Sequence, residues 1–307
     1  MNINDNLINK EKLKILSLLS KANITYVDTI FFTSKCNFGN CIISLNKILF
    51  YCEIIGCKSI VLDKDIFWYI QRKIKINKFN YSIDVDNNIK YNSSNSLFFN
   101  SDDIFYSFFY IKPEIRINLI RNEIINNLNK FFIDKEDLFI HIRSGDIFII
   151  PHSPYAQPPL CFYRKILKNN KFKNVYLISQ NLNNPVIQKL INEYPNILYL
   201  KNSIKNDISY LINAYNIVAS VSTFLISIIQ LNYNVKFVWD YNIYKISDKI
   251  KAFHYDLYEY PNKFIIFRME PSLFYQNIMC KWKNNKIQRK LMLKEKCINN
   301  KFRIIYK

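Results

Sequence analysis

Between residues 138 and 239 short apolar runs alternate with amphipathic stretches, and this alternation restricts the segment to a sheet flanked by helices. Runs at 138–142, 174–179, 197–200, 216–219 and 235–239 read as strands, and the intervening 160–167, 185–193, 207–214 and 224–231 read as helices. Parallel strands need such crossovers, whereas antiparallel ones need only short turns. The first part of the chain follows the same grammar. Residues 26–32 read as a strand, 33–40 as a polar loop and 42–54 as a helix on the spacing of Ile42, Leu45, Leu49 and Ile54, with Gly56 as its C-terminal stop. A second strand follows at 59–62. The Asn- and Ser-rich stretch 84–103 is expected to be an exposed excursion, and 114–132 a helix closing the first domain. The fold predicted is α/β: two Rossmann-like domains, 1–135 and 136–270, facing each other across a cleft, followed by a basic helical segment, 271–307.

Composition narrows the partners. Half of the residues are hydrophobic and 16% aromatic, ample for two buried cores in 307 residues. The net charge of +19 is mostly lysine in a background crowded with Asn and Ile, the trio an AT-biased coding sequence produces, so total charge alone does not imply a nucleic-acid partner. Seven cysteines without a dense framework suit a reducing compartment. Cys36/Cys41 and Cys52/Cys57 lack the paired histidines of a zinc finger. The first residues show no basic stretch leading into an apolar core, so a secretory signal is not expected. The uncharged run 209–235 is broken by Asn213, Asn216, Gln230 and Asn232, and reads as helix, strand and helix rather than a membrane span. A cytoplasmic protein, with peripheral membrane association allowed, is the expectation.

Chemistry concentrates in His141-Ile-Arg-Ser-Gly-Asp146 at the end of an apolar strand, where α/β proteins bind ligands. Gly145 is one of three glycines in the chain, placed where the backbone must bend or approach a ligand. His141 and Arg143, two apart, share a face. Arginine suits a diphosphate because its planar fork makes paired, charge-assisted hydrogen bonds and keeps its charge when buried. Asp146 is placed to orient that guanidinium or to accept a proton. Two further segments occupy the same kind of position after strands: Phe38-Gly39-Asn40 in the first loop, and Ser222-Thr223-Phe224 before a late helix, whose hydroxyls and amides suit phosphate oxygens.

These three segments together resemble the fucosyltransferase superfamily, which includes α1,2-, α1,6- and protein O-fucosyltransferases of GT-B fold. The resemblance spans residues 26–240, with HIRSGD its most specific element. It implies that Arg143 binds the nucleotide diphosphate, that His141 and Asp146 support the same site, and that Ser222 and Thr223 contact phosphate. It further implies that Phe38, Gly39, Asn40 and Phe224 line the donor side. The implied reaction is inverting transfer from GDP-fucose to a glycan, lipid-linked oligosaccharide or glycoprotein, with no metal and no other cofactor. Ser144 stands where several members carry a second arginine, and Cys41 where the α1,2 group has Gln. Tyr155 and Gln157, in the proline-rich loop 151–159, are candidates for contacts with the acceptor sugar.

Two other readings compete. A metal-dependent GT-A enzyme would use Asp63 and Asp65, which follow a strand as an Asp-x-Asp pair, or Asp84 and Asp86. A non-catalytic basic module would bind polyanions through the lysines after Lys281.

Overall fold

The structure is a computed structural model of the 307-residue chain. It describes scattered residues before Tyr26 and, from there on, all but 34–36, 64, 66, 68, 71–72, 77–80, 87–95, 101–119, 152–154, 244–262, 299 and 307. The chain divides into two compact units, Met1–Leu128 and Asn129–Lys307.

The first unit carries a five-stranded sheet ordered β3-β4-β2-β1-β5, from strands β1 (Thr29–Thr33), β2 (Ser59–Asp63), β3 (Ile74–Ile76), β4 (Tyr81–Asp86) and β5 (Ser96–Asn100). All neighbours are parallel except β3 and β4. Helix α1 (Phe38–Ile55) crosses between β1 and β2, and ends at Gly56, whose left-handed φ of 74° returns its N–H to the Cys52 carbonyl. Three expectations are corrected here. The 33–40 segment is not all loop: Phe38, Gly39 and Asn40 form the first turn of α1. The 84–103 stretch contains the strand β5, because its apolar Leu97-Phe98-Phe99 run pairs with β1. The expected helix 114–132 is described only as α2 (Arg121–Asn126), its earlier residues 114–119 lying outside the described ones. It stops because the Asn127 side-chain amide donates to the carbonyls of Glu123 and Tyr69 at 2.9 Å each, taking the place of further helical turns.

The second unit holds a seven-stranded sheet ordered β12-β11-β10-β9-β6-β7-β8. Its strands are β6 (Leu138–His141), β7 (Val175–Ile178), β8 (Ile197–Leu200), β9 (Asn216–Val218), β10 (Phe237–Tyr241), β11 (Ile265–Met269) and β12 (Phe302–Tyr306). The first six are parallel and β12 is antiparallel to β11. Counted from β6 the order is 3-2-1-4-5-6, the doubly wound Rossmann arrangement. Its described helices are α3 (Leu160–Asn169), α4 (Pro185–Glu193), α5 (Ile204–Leu211), α6 (Thr223–Leu231), α7 (Leu273–Met279) and α8 (Lys286–Lys294). Helix α5 starts earlier than the apolar spacing indicates because the Ser203 hydroxyl caps it by accepting from Asn206. Strand β10 starts later than expected because Asn232 Oδ1 accepts the N–H groups of Asn234 and Val235 and holds them in a turn.

Burial explains why 271–307 is not a free basic tail. Tyr275, Met279, Trp282 and Met292 enter the same apolar cluster as Leu138, Ile140 and Phe162, and β12 extends the sheet. The Trp282 indole donates to the Ile147 carbonyl at 3.0 Å and meets Phe148 edge-on. Disulfides join Cys52 to Cys57 and Cys161 to Cys297, whereas the cysteine count pointed to reduced thiols. The second tethers α3 to the stretch before β12. Among the described residues, no helix is long and apolar enough to cross a membrane.

Candidate functional site at the strand switch point

In a 3-2-1-4-5-6 sheet the chain leaves strands 1 and 4 in opposite directions, opening a crevice at their carboxyl ends. Here those strands are β6 and β9, paired from Leu138 with Asn216 to Ile140 with Val218. His141-Arg143 follows one and Ser220-Ser222 the other, so the topology brings together segments some eighty residues apart in sequence.

Ser220 is the first link. Its hydroxyl lies 2.9 Å from His141 Nδ1 and accepts the Arg143 N–H at 3.1 Å. His141 is 8% exposed, with Phe224 5.4 Å from its ring. Burial, reinforced by the Arg143 charge, lowers its pKa to about 3, so the imidazole is neutral near pH 7. It serves as a fixed hydrogen-bonding post.

Arg143 is the centre. Its Nη2 donates to both Asp146 oxygens, at 2.7 and 3.1 Å, its Nη1 approaches Ser222 Oγ at 3.4 Å, and the guanidinium carbon stands 5.4 Å over the Tyr155 ring. The Nε–H is buried and makes no hydrogen bond. Only 17% of the side chain is exposed, against 52% for Asp146. A cation so placed is held by a carboxylate, a hydroxyl and a ring face, yet retains donor capacity.

The backbone under it is fixed by asparagines that sequence reading passed over. Asn184 donates from Nδ2 to the Arg143 carbonyl at 3.0 Å and caps α4 by accepting the Val186 N–H. Asn181 Oδ1 accepts from the Ser144 hydroxyl at 2.7 Å and the Gly145 N–H at 3.2 Å. Gly145 has φ +71°, and a Cβ there would collide with Gln180 Oε1. Asn-rich loops are common in this composition, so nothing in the sequence marks these two out.

Ser222 is the N-cap of α6, accepting from the Phe224 N–H at 3.2 Å, and Thr223 opens the helix. The cap leaves the helix dipole and first-turn amides at the crevice side of the sheet. Because Ser222 Oγ accepts twice, its own proton remains to be donated. Tyr155 joins the cluster through Arg143. Gln157 does not: it is fully buried, its amide donating to the Tyr155 carbonyl, so it shapes the loop instead of facing a sugar. His152, Ser153 and Pro154 of that loop lie outside the described residues.

A further residue escaped sequence reading. Asp207, in the first turn of α5 after β8, is partly exposed but has its Oδ1 buried and unbonded, and burial raises its pKa to about 6 against a partial offset from Asn202. Only the fold reveals that burial.

Phe38, Gly39 and Asn40 belong to the first unit, at the start of α1. So do Asp63 and Asp65. Asp63 is occupied locally, its Oδ2 accepting from the Thr33 hydroxyl and its Oδ1 from the Asp65 N–H, both at 3.1 Å. Asp84 pairs with Lys73 at 3.1 Å. No group of three His, Cys, Asp or Glu residues suited to a metal occurs among the described residues.

The second unit thus has the doubly wound α/β fold, with a caged arginine at its switch point. No protein-family model and no curated protein sequence matches the chain. Among solved structures, two crystal structures of the fucosyltransferase NodZ from Bradyrhizobium, one of them the Se-Met protein, are similar at 10% and 11% identity. Each has a TM-score of 0.39 and covers 67% of this chain, which spans 92% and 93% of theirs. So loose a superposition bears on neither activity nor site.

Proposed function

We propose that the chain is a glycosyltransferase that moves a sugar from a nucleoside diphosphate donor, with GDP-fucose as the donor and a glycan, a lipid-linked oligosaccharide or a glycoprotein as acceptor. The observation that carries this reading is the caged guanidinium of Arg143 beside the capped N-terminus of α6. Two adjacent phosphates match a fork and a helix end placed side by side. The resemblance of HIRSGD and the Ser-Thr-Phe segment to fucosyltransferases supplies the choice of donor.

In the proposed step, the acceptor hydroxyl oxygen attacks the sugar C1 as the bond from C1 to the diphosphate oxygen breaks, inverting the anomeric centre. Negative charge develops on the leaving phosphate, where Arg143 and the Ser222 hydroxyl stabilise it without rearranging. A preorganised donor of this kind is worth about 3 kcal/mol, roughly a hundredfold in rate. His141, neutral and hydrogen-bonded to Ser220, holds the strand end. Asp146, half exposed and bonded to Arg143 at 2.7 Å, orients the guanidinium on the leaving-group side, and the acceptor proton is lost from the opposite face of the sugar. Phe38, Gly39 and Asn40 are assigned to the donor side on the resemblance alone.

Thermal stabilisation by nucleotides tests this. GDP and GDP-fucose, with EDTA present, should raise the Tm of the wild type and leave Arg143→Ala unmoved. Stabilisation by UDP-sugars with Mn²⁺ alone would transfer the case to Asp63 and Asp65. A response to any polyanion that collapses with salt would mark a binding module instead.

A further inference from the structure

The lysine excess is not spread evenly. From 271 to 294 the chain carries Lys281, Lys283, Lys286, Arg289, Lys290 and Lys294 and no acidic residue. In the structure this stretch meets an apolar turn from the candidate site. The Asn284 amide donates to the Phe148 carbonyl at 2.6 Å, Arg289 bonds Asn284 at 2.8 Å, and its guanidinium stands 5.8 Å over the Phe148 ring. The residues after Phe148 are Ile149 and Ile150, whose N–H groups both bond the Asp146 carbonyl. They are 72% and 66% exposed, and Ile287 on the first turn of α8 is 67% exposed. Lys283, Lys286 and Lys290, on the segment and helix that carry Asn284 and Ile287, are exposed as well. Three bare isoleucines thus stand on a turn and a basic segment that are joined through Phe148, Asn284 and Arg289, and the turn that bears two of them is anchored by Asp146.

We propose that Ile149, Ile150 and Ile287, together with Lys283, Lys286 and Lys290, dock the protein on an anionic phospholipid surface. The ammonium groups meet the headgroups while the isoleucines enter the boundary of the acyl chains, the division of labour seen in interfacial helices. Exposed isoleucines favour a bilayer over nucleic acid, whose phosphates reward the lysines but leave aliphatic tips in water. The turn that bears Ile149 and Ile150 follows the carboxyl end of β6, as Arg143 does. The inference stands apart from the nucleotide-sugar reading, since vesicle binding and GDP binding are measured separately.

Co-sedimentation of the full chain with vesicles of phosphatidylglycerol and phosphatidylcholine, against pure phosphatidylcholine, is the test. Each lysine near an anionic surface contributes about fivefold in affinity, so the triple reversal Lys283→Glu, Lys286→Glu, Lys290→Glu should lose roughly a hundredfold or more. The variant Ile149→Ser, Ile150→Ser, Ile287→Ser should bind vesicles several-fold more weakly while binding heparin like the wild type. Reversal of Lys168, Lys171 and Lys236, exposed ahead of the amino ends of β7 and β10, should change vesicle binding far less. All variants are surface changes, and matching circular dichroism and Tm would show that they fold. Equal binding to pure phosphatidylcholine, an equal loss from the distant reversal, or serine variants that bind vesicles as the wild type does would each overturn the proposal.

Discussion

Arg143 is useful because of what surrounds it. Substituting lysine keeps the charge but loses the fork that holds Asp146 and Ser222 at once, so Arg143→Lys should recover only part of the GDP-induced rise in Tm. Gly145 tests the strand end from the other side. At φ +71° an alanine is strained by about 1–2 kcal/mol, and its methyl group also strikes Gln180. Gly145→Ala should therefore lower stability in urea denaturation, and adding Gln180→Ala should restore only the steric part. His141 and Asp207 give opposite pH dependences. The folded-state pKa of His141, about 3, lies below the unfolded value of 6.5, so its contribution is complete above pH 6.5 and is lost as pH falls toward 3. The Asp207 carboxyl, raised to about 6, binds its proton more tightly when folded, so stability from this group grows as pH falls from 6 toward 3.8. Each slope reaches at most about 1.4 kcal/mol per pH unit. Between pH 6 and 4 they oppose: Asp207→Asn should steepen the loss of stability on acidification, and His141→Asn should reverse it, as read by denaturation at stepped pH.

At the scale of elements, two helix caps double as parts of the site. Asn184 caps α4 with its oxygen and holds the Arg143 carbonyl with its nitrogen. Asn184→Asp keeps the cap acceptor and removes the donor, so Tm should hold within a few degrees while GDP affinity falls. Asn184→Ala should lose both, at about 1 kcal/mol for the cap. Calorimetric titration with GDP beside thermal melts separates the two effects. From β6 to β10 the strands and helices of the second unit were legible because strong periodicities at 2 and 3.6 residues carried them, whereas β11 and β12 were not read. Errors fell where a polar side chain overrode the pattern: Asn127 stopping α2, Ser203 advancing α5, Asn232 delaying β10. Strand β5 was missed because Asn and Ser around three apolar residues look like loop until β1 pairs with them.

At the scale of the whole chain, the C-terminal stretch is structural as well as basic. Removing 271–307 would strip Tyr275, Met279, Trp282 and Met292 from the core and delete β12. Such a truncation should be insoluble or protease-sensitive, whereas a fragment from Asn129 to Lys307 should show one cooperative transition in urea. The sequence by itself determined the α/β class, the alternation that places strands and helices, and the placing of a histidine, an arginine and a carboxylate together at a strand end in HIRSGD. Those depend on local periodicity and on residue chemistry, which short windows contain. The tertiary structure alone decided that Ser220 and Ser222 stand beside His141 and Arg143, that Asn181 and Asn184 fix the loop that carries them, and that one Asp207 oxygen is buried. Which strands become neighbours follows from how the crossovers pack, and burial follows from neighbours, so neither is written in any one stretch of the chain.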